Sequence, residues 1–497
     1  MKNVGLAVSR NSHSFFQRLL TWVFTDQACR KVTIAALPNE ILLDIFYIYL
    51  DLPQRNHPNF NADNTRKNSW HTLVHVCQRW RYVVFASPRY LNLQLACTKR
   101  TPVKKMLNIW PTVPIAILCV QFPSSRMRGI LNITAALKCR DRVREISIWG
   151  TPNSLLKRFA ASMRSPFPVL ISVQLFDSSL GHHDLLVLSD SFLGGFAPPL
   201  RSLDLRGISF PAPQKLLLSA TDLVTLRLER IPNSGYISPE EIVACLSTLT
   251  KLKELALEFR SPLFHSHQTS QDPVPRTIFP ALTSLRFQGA HEYLEDLLSR
   301  TDLPFLNNVY ITLTNLATSH AQAPLISEPV KLLEALYYAE IGFGGSFPNV
   351  ALSRSRELTD CRTLKFRVLC SYFPQQLPLL SQFCNSVLPP LPNLEHLYIH
   401  SSFSLDHHPD FAECTDWLEL LRPFTSVENL HLSKYTALRV ASALRHLSTS
   451  GERVTEVLPA LRNIFLHGPR LSKAILVNIT QFVAAIRPSG RSVSVRY

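Results

Sequence analysis

Residues 200–228 read LRSLDLRGISFPAPQKLLLSATDLVTLRL. The stretch opens and closes on one phrase, apolar-x-x-apolar-x-apolar, at 200–205 and 223–228. Successive side chains of a strand point to opposite faces, so Leu203 and Leu205 share one face and Asp204 takes the other. Leu226, Leu228 and Arg227 divide the same way. The Pro-containing segment between the phrases leaves room for a turn and a short return.

Working outward, the phrase recurs. VREISI (143–148) and LISVQL (170–175) precede it; LKELAL (252–257), LTSLRF (282–287), LNNVYI (306–311), LEHLYI (394–399), VENLHL (427–432) and LRNIFL (461–466) follow. Two weaker copies, LYYAEI (336–341) and TLKFRV (363–368), fill the gap, and the final residues of successive copies lie 23 to 34 apart. A fixed phrase at that period reads as a leucine-rich-type solenoid with one short strand per repeat. SPEEIVACLSTLT (238–250) opens with Ser238, a following Pro and Glu241, the signature of a capped helix start. HEYLEDLLSR (291–300), CTDWLELLR (414–422) and SKAILVNITQFVAAI (472–486) also have helical spacing, and SVSVRY (492–497) reads as a capping strand. The expected fold of residues 113–497 is therefore an α/β solenoid of parallel strands spaced about 4.8 Å apart. Repeats of this type usually carry Asn or Cys three residues after the last apolar position. None of the twelve copies does, so the array is degenerate and its curvature irregular.

The last x of each phrase points away from the leucines. Along the chain that column reads Ser147, Gln174, Asp204, Arg227, Ala256, Arg286, Tyr310, Glu340, Arg367, Tyr398, His431 and Phe465. Its middle is ionic and its C-terminal end aromatic, with His396, His400 and His467 in flanking columns. Aromatic residues with polar tips suit a binding centre. Tyr398, His431 and Phe465 are thus candidates for holding a target protein, with Arg227, Arg286 and Arg367 adding contacts to an acidic or phosphorylated segment. The bland alternative is an ordinary solvated face.

Upstream, ALPNEILLDIFYIYL (36–50) is apolar around nearly its whole helical circumference, more than a surface helix needs. A polar loop (51–69) follows, then WHTLVHVCQRWRYVVFASP (70–88), where Leu73, Val76, Cys77, Trp80, Val83 and Val84 recur at helical spacing with Arg79 and Arg81 turned away. So small a helical unit exposes more apolar surface than it can bury, which calls for a further partner. LPNEILLDIF with LVHVCQRWRYVVFASPRYLNL resembles an F-box, through Leu37, Pro38, Glu40, Ile41, Leu42, Ile45, Phe46, Val76, Cys77, Trp80 and Pro88. It is particularly similar to a group of fungal F-box proteins whose box runs on through LNLQL. The resemblance implies an all-α F-box helical domain (36–95) that docks the Skp-type adaptor of a cullin–RING ubiquitin ligase. The implied adaptor-binding residues are Leu37, Pro38, Ile41, Leu42, Ile45, Phe46, Val76, Cys77 and Trp80. Val76 and Trp80 read equally as intradomain core.

The remaining chain is divided into an N-terminal segment (1–35), where SFFQRLLTWVF (14–24) reads as an amphipathic helix or a loose terminus, with a targeting segment as the alternative, and a linker (96–112) containing TKRTPVKK. The net charge is +16 over 497 residues, without the basic block of a nucleic-acid tail. No apolar run reaches the 18 or so residues of a membrane span. Ten dispersed cysteines without a C-x-x-C pair read as reduced thiols of an intracellular protein, cytoplasmic or nuclear. No nucleotide-binding, hydrolase-elbow or zinc-protease motif occurs. GFGG (342–345) reads as a turn, and His71/His75, His182-His183-Asp184 and DHHPD (406–410) as packed or solvated groups. The expectation is a non-catalytic protein without cofactor or metal, the substrate-recognition subunit of a ubiquitin ligase. The alternative is an interaction scaffold without a ligase role.

Overall fold

The computed structural model describes residues 34–51, 70–88, 90–100, 102–110, 113–120, 127–177, 186–211, 213–260, 276–314, 336–344, 346–355, 363–370, 372–386, 388, 391–402, 414–449, 457–468, 473–487 and 492–496. The N-terminal helix expected at 14–24, the loop 52–69, His182-His183-Asp184 and DHHPD lie outside the described residues. Two compact units are present. One carries the described residues up to Ala96 with Val113 and Pro114; the other carries Cys97–Trp110 and the chain from Ile115 onward.

The first unit has helices at Asn39–Asp51, Trp70–Val74 and Gln78–Ala86. Pro38 stands just before the first, and its carbonyl accepts the Leu42 N–H at 3.1 Å, a fitting place for a residue without a donor. The single helix expected from Leu73 to Val84 is instead broken. Cys77 is extended (φ −158°, ψ 171°) and its Sγ accepts the Trp80 N–H at 3.4 Å as an N-cap. The break puts Val76, 58% exposed, outside any helical face. Arg79 and Arg81 are not turned away either. Arg79 donates to Asn39 Oδ1 at 3.0 Å and to the Leu37 carbonyl, and Arg81 Nε donates to the Val74 carbonyl at 3.0 Å, where a helix end lacks donors. Leu42, Phe46, Trp70, Leu73, Val74, Val83 and Val84 are buried, and Trp70 Nε1 donates to the Gln94 carbonyl at 2.8 Å.

The strands, in chain order, are β1 (Leu95–Thr98), β2 (Ile115–Val120), β3 (Val143–Thr151), β4 (Ser172–Asp177), β5 (Ser202–Arg206), β6 (Thr225–Ile231), β7 (Glu254–Phe259), β8 (Thr277–Ile278), β9 (Ser284–Gly289), β10 (Thr301–Asp302), β11 (Asn308–Leu313), β12 (Tyr338–Phe343), β13 (Asn349–Ser353), β14 (Thr363–Val368), β15 (His396–Ser401), β16 (Asn429–Ser433), β17 (Asn463–His467) and β18 (Ser494–Arg496). Sixteen of the described strands form one sheet in the order β1-β2-β3-β4-β5-β6-β7-β9-β11-β14-β13-β12-β15-β16-β17-β18, while β8 pairs with β10. The second unit is thus a solenoid-like α/β repeat array. The segment 96–112, read as a linker, contributes the end of β1 and a helix at Val103–Ile109 instead.

Register explains why the phrase repeats. Leu203, Leu226, Leu255, Leu285 and Val309 are successive partners across β5, β6, β7, β9 and β11, and all are buried. Burying each such side chain is worth about 1.5–3 kcal/mol. The Ser238 capping box is formed, with Glu241 N–H donating to Ser238 Oγ at 3.2 Å and Ser238 N–H to Glu241 Oε2 at 3.1 Å. The helices Gln376–Ser386, Cys414–Leu421, Ala437–Thr449 and Lys473–Ile486 pack in succession, as one-per-repeat helices should.

One element departs from a wholly parallel array. After β12 the chain turns back as β13, which runs antiparallel to both β12 and β14, and β14 then lies beside β11. The order of repeats in space is therefore not their order in sequence here. Register also pairs Tyr310 with Lys365, and Thr312 with Arg367. The outward column consequently passes through Lys365 and Ala351, and Arg367 lies one pleat beyond it. The copy in this repeat begins two residues earlier, as CRTLKF (361–366). A shift of two keeps every side chain on its face, so alternation alone does not distinguish the two frames.

Candidate functional site

The outward residues of the middle strands form a closed ionic network. Arg206 reaches Asp204 at 2.9 Å and Glu229 at 3.0 Å; Arg227 reaches Glu254 at 2.6 Å; Arg286 reaches Glu258 at 3.0 Å. Burial, and then the charge of Glu229, raise the Glu258 carboxyl above its ordinary range. Arg227 and Arg286, expected to meet an acidic target, are thus engaged within the sheet. The Arg286 and Arg367 guanidiniums lie 4.7 and 5.1 Å from the Tyr310 ring centroid.

Tyr398, His431 and Phe465 are register partners on β15, β16 and β17, brought together as the phrase predicts. Strand spacing is close to ring-stacking distance, so the rings stand as a ladder. Tyr398 and His431 stack at 4.0 Å and 8°, His431 and Phe465 at 4.4 Å and 7°. The Arg496 guanidinium follows, 5.5 Å from the Phe465 centroid. One pleat away, Tyr338 stacks on His396 at 4.6 Å and 8°. His431 is buried, and both its nitrogens are used: Nε2 is 3.2 Å from His396 Nδ1 and Nδ1 is 3.1 Å from His467 Nε2. It therefore positions the ladder, while Tyr398 and Phe465 are half-buried and offer the surface. Burial lowers the His396 pKa below its usual value, against the opposing pull of Glu395 and Glu428.

Beside this ladder lies a pocket of about 320 Å³, lined in part by Tyr338, Glu340, Tyr398, His400, His431 and His467. His400 Nε2 is 2.6 Å from Glu340 Oε1. That hydrogen bond, foremost, holds the Glu340 carboxyl below its ordinary range. Gly342 permits the contact: a Cβ there would stand 3.0 Å from His400 Cε1 and Nε2, and 2.7 Å from Asn349 Nδ2. Tyr338 has no place in the expectations from sequence, and Glu340 stands in the outward column without being named a contact residue. Their signal was the weak copy LYYAEI, whose neighbours in space are set by the β13 reversal.

In the first unit the nine adaptor-facing candidates divide. Leu42 and Phe46 are 0% and 1% exposed and belong to the core, a correction to their reading as contact residues. Pro38, Val76 and Cys77 are exposed; Leu37, Ile41, Ile45 and Trp80 are half-buried. Trp80 packs on Phe46 with centroids 4.7 Å apart. Tyr90 donates to Asp44 Oδ1 at 2.8 Å, covering part of the polar stripe of the first helix.

Among the described residues, no group of three or more His, Cys, Asp or Glu is placed to hold a metal ion, and no helix is long and apolar enough to cross a membrane. No protein-family model and no curated protein matches the chain. Among solved structures it is similar to the leucine-rich repeat-containing protein LegL7 of Legionella pneumophila, at 12% identity and a TM-score of 0.24, over 78% of this chain and 97% of that one.

Proposed function

We propose that the protein is a non-catalytic substrate-recognition subunit of a Skp–cullin–F-box ubiquitin ligase. Its first unit docks the Skp-type adaptor, and the outward sheet face of its repeat array holds the target. The observation that carries this reading is the Leu-Pro start, Leu37 half-buried and Pro38 exposed, held against the break between helices. Arg79 ties Leu37 and Asn39 to the start of the Gln78–Ala86 helix. Leu37, Pro38, Val76 and Cys77 are thereby gathered within one side chain's reach, and the core does not use them. With Ile41, Ile45 and Trp80 they form an apolar surface of the kind a partner covers. The chain supplies no bond chemistry. It raises the effective concentration of target lysines near the transferring machinery.

Co-purification of the full chain with the Skp-type adaptor tests the reading. The wild-type chain is expected to retain the adaptor stoichiometrically, and Pro38→Ala with Ile41→Asp to lose it. No retention by the wild type, or equal retention by the folded double variant, sinks it. Retention of a target without the adaptor points to the scaffold alternative. Tyr398→Ala with Phe465→Ala is expected to release the target while the adaptor stays bound.

A further inference from the structure

The pocket between β12 and β15 has its own chemistry. Register places Glu340 opposite Tyr398. Tyr398 stacks on His431 toward β16, so its opposite ring face is turned toward β12 and the pocket, where the Tyr338 ring stands 6.4 Å from it, offset and at 27°. The floor therefore presents one carboxylate and one aromatic face side by side. His400 steadies the carboxylate without enclosing it: the two side chains remain 34% and 43% exposed. No Lys or Arg is among the described lining residues.

The same sheet shows what fits such a pair. Four strands from β12 along the sheet order, the Arg286 guanidinium bonds Glu258 at 3.0 Å while lying 4.7 Å from the Tyr310 ring centroid. At the end of the aromatic ladder Arg496 lies over Phe465. A planar guanidinium forks to a carboxylate and stacks on a ring at once, which an ammonium does not. The cavity, about 320 Å³, is at the small end for ligand clefts of about 300–1,000 Å³, room for one long side chain.

We propose that this pocket binds an arginine side chain presented by a partner protein, its guanidinium paired with Glu340 and stacked on Tyr398. This deepens the target-recognition reading by naming the chemistry of the anchor, and its test does not involve the adaptor. Partial desolvation strengthens the charge-assisted hydrogen bonds. His431, held at both nitrogens, keeps the Tyr398 ring upright for stacking.

Saturation-transfer NMR on the full chain, irradiating aromatic protein resonances, tests the proposal with N-acetyl-arginine methylamide as probe. The neutral isostere N-acetyl-citrulline methylamide, N-acetyl-lysine methylamide and free arginine serve as comparisons. The capped arginine is expected to bind at least about tenfold more tightly than capped citrulline, and Glu340→Gln to remove that margin. Tyr398→Leu is expected to weaken the arginine probe more than the lysine probe. Equal binding of arginine and citrulline to the unmutated chain, or no binding into the tens of millimolar, overturns the proposal whether or not the variants fold. A folded Glu340→Gln variant that keeps the full margin overturns the assigned site. Free arginine binding at least about tenfold more tightly than the capped form makes this a small-molecule site and overturns the assignment to a protein partner. Loss of adaptor retention with arginine binding intact leaves the pocket standing and removes the ligase reading alone.

Discussion

The middle and the C-terminal parts of one sheet face use the same ladder and the same alternation, yet satisfy their outward positions in opposite ways. Across β5, β6, β7 and β9 many of the outward side chains are long and charged. They bend sideways and close on one another, Arg206 onto Asp204 and Glu229, Arg286 onto Glu258. Across β15–β17 they are rings that stand upright and stack at 4.0 and 4.4 Å. An ionic network consumes its own charges, so the middle is finished without a ligand. A stack uses ring faces between strands and, through His431, bonds the imidazoles beside it, while its β12 end borders a pocket. The difference between the regions is that one pairs its charges internally and the other lines a pocket on its β12 side.

The two regions differ outside and are alike inside. Leu226→Ala and Leu430→Ala remove fully buried side chains beneath each region, and each is expected to cost about 2–5 kcal/mol, read as a fall in the urea midpoint. Unequal losses would break the claim of a common interior. Next in size, Arg206→Met leaves Asp204 and Glu229, with side chains 5% and 8% exposed, without that guanidinium. A loss of about 2–4 kcal/mol is expected, because a buried carboxylate deprived of its partner is costly. A loss below about 0.5 kcal/mol would show that the middle is not held by its ionic network.

Much of this contrast was legible in the sequence, and the illegible part has a physical cause. The phrase LRSLDL fixes inward and outward positions because side chains alternate, so the Tyr398–His431–Phe465 row followed directly. What alternation does not encode is which repeat lies beside which. The β13 reversal puts Ala351 and Lys365 into the column, moves Arg367 out of it, and makes Glu340 rather than Arg367 the neighbour of Tyr398. The pocket depends on that reversal and on Gly342, whose missing side chain lets His400 reach Glu340. In the first unit, helical spacing placed Leu42 and Phe46 on the right helix. It did not separate the core side of that helix from its outer side, because nearly every position is apolar. Nor did spacing reveal that Cys77 interrupts the second helical run as a cap.

Smaller effects sharpen the aromatic side. His431→Phe keeps a ring between Tyr398 and Phe465 but removes both imidazole contacts, to His396 and His467. The expected cost is about 1–2 kcal/mol, set by the unpaired polar edges rather than by stacking. One histidine beside this row, His396, also makes this half sensitive to pH. His396 has its folded pKa lowered by burial from 6.5. Its contribution is therefore complete above pH 6.5 and is lost as pH falls through the depressed value, because the unfolded imidazole takes up the proton first. Urea midpoints followed downward from neutral pH are expected to fall less steeply in His396→Phe than in the wild type. Parallel slopes would count against an imidazole held neutral by burial.

The smallest effect comes from a charge pair as close as any in the middle network. Lys251 Nζ lies 2.5 Å from Asp222 Oδ1, closer than Arg206 to Asp204 at 2.9 Å. The Lys251 hydrogen bond, foremost, holds the Asp222 carboxyl below its ordinary range. Distance alone would rank this pair first. Yet the two side chains are 63% and 40% exposed, so water and salt screen their attraction, and ordering two mobile side chains opposes what remains. Asp222→Asn is expected to leave the urea midpoint unchanged in low and in high salt, whereas the loss in Arg206→Met persists when salt is added. A midpoint shift in Asp222→Asn comparable to that of Arg206→Met would mean that proximity, not burial of the partners, sets the strength of this face. The ionic half would then lose its claim to be a closed structural network.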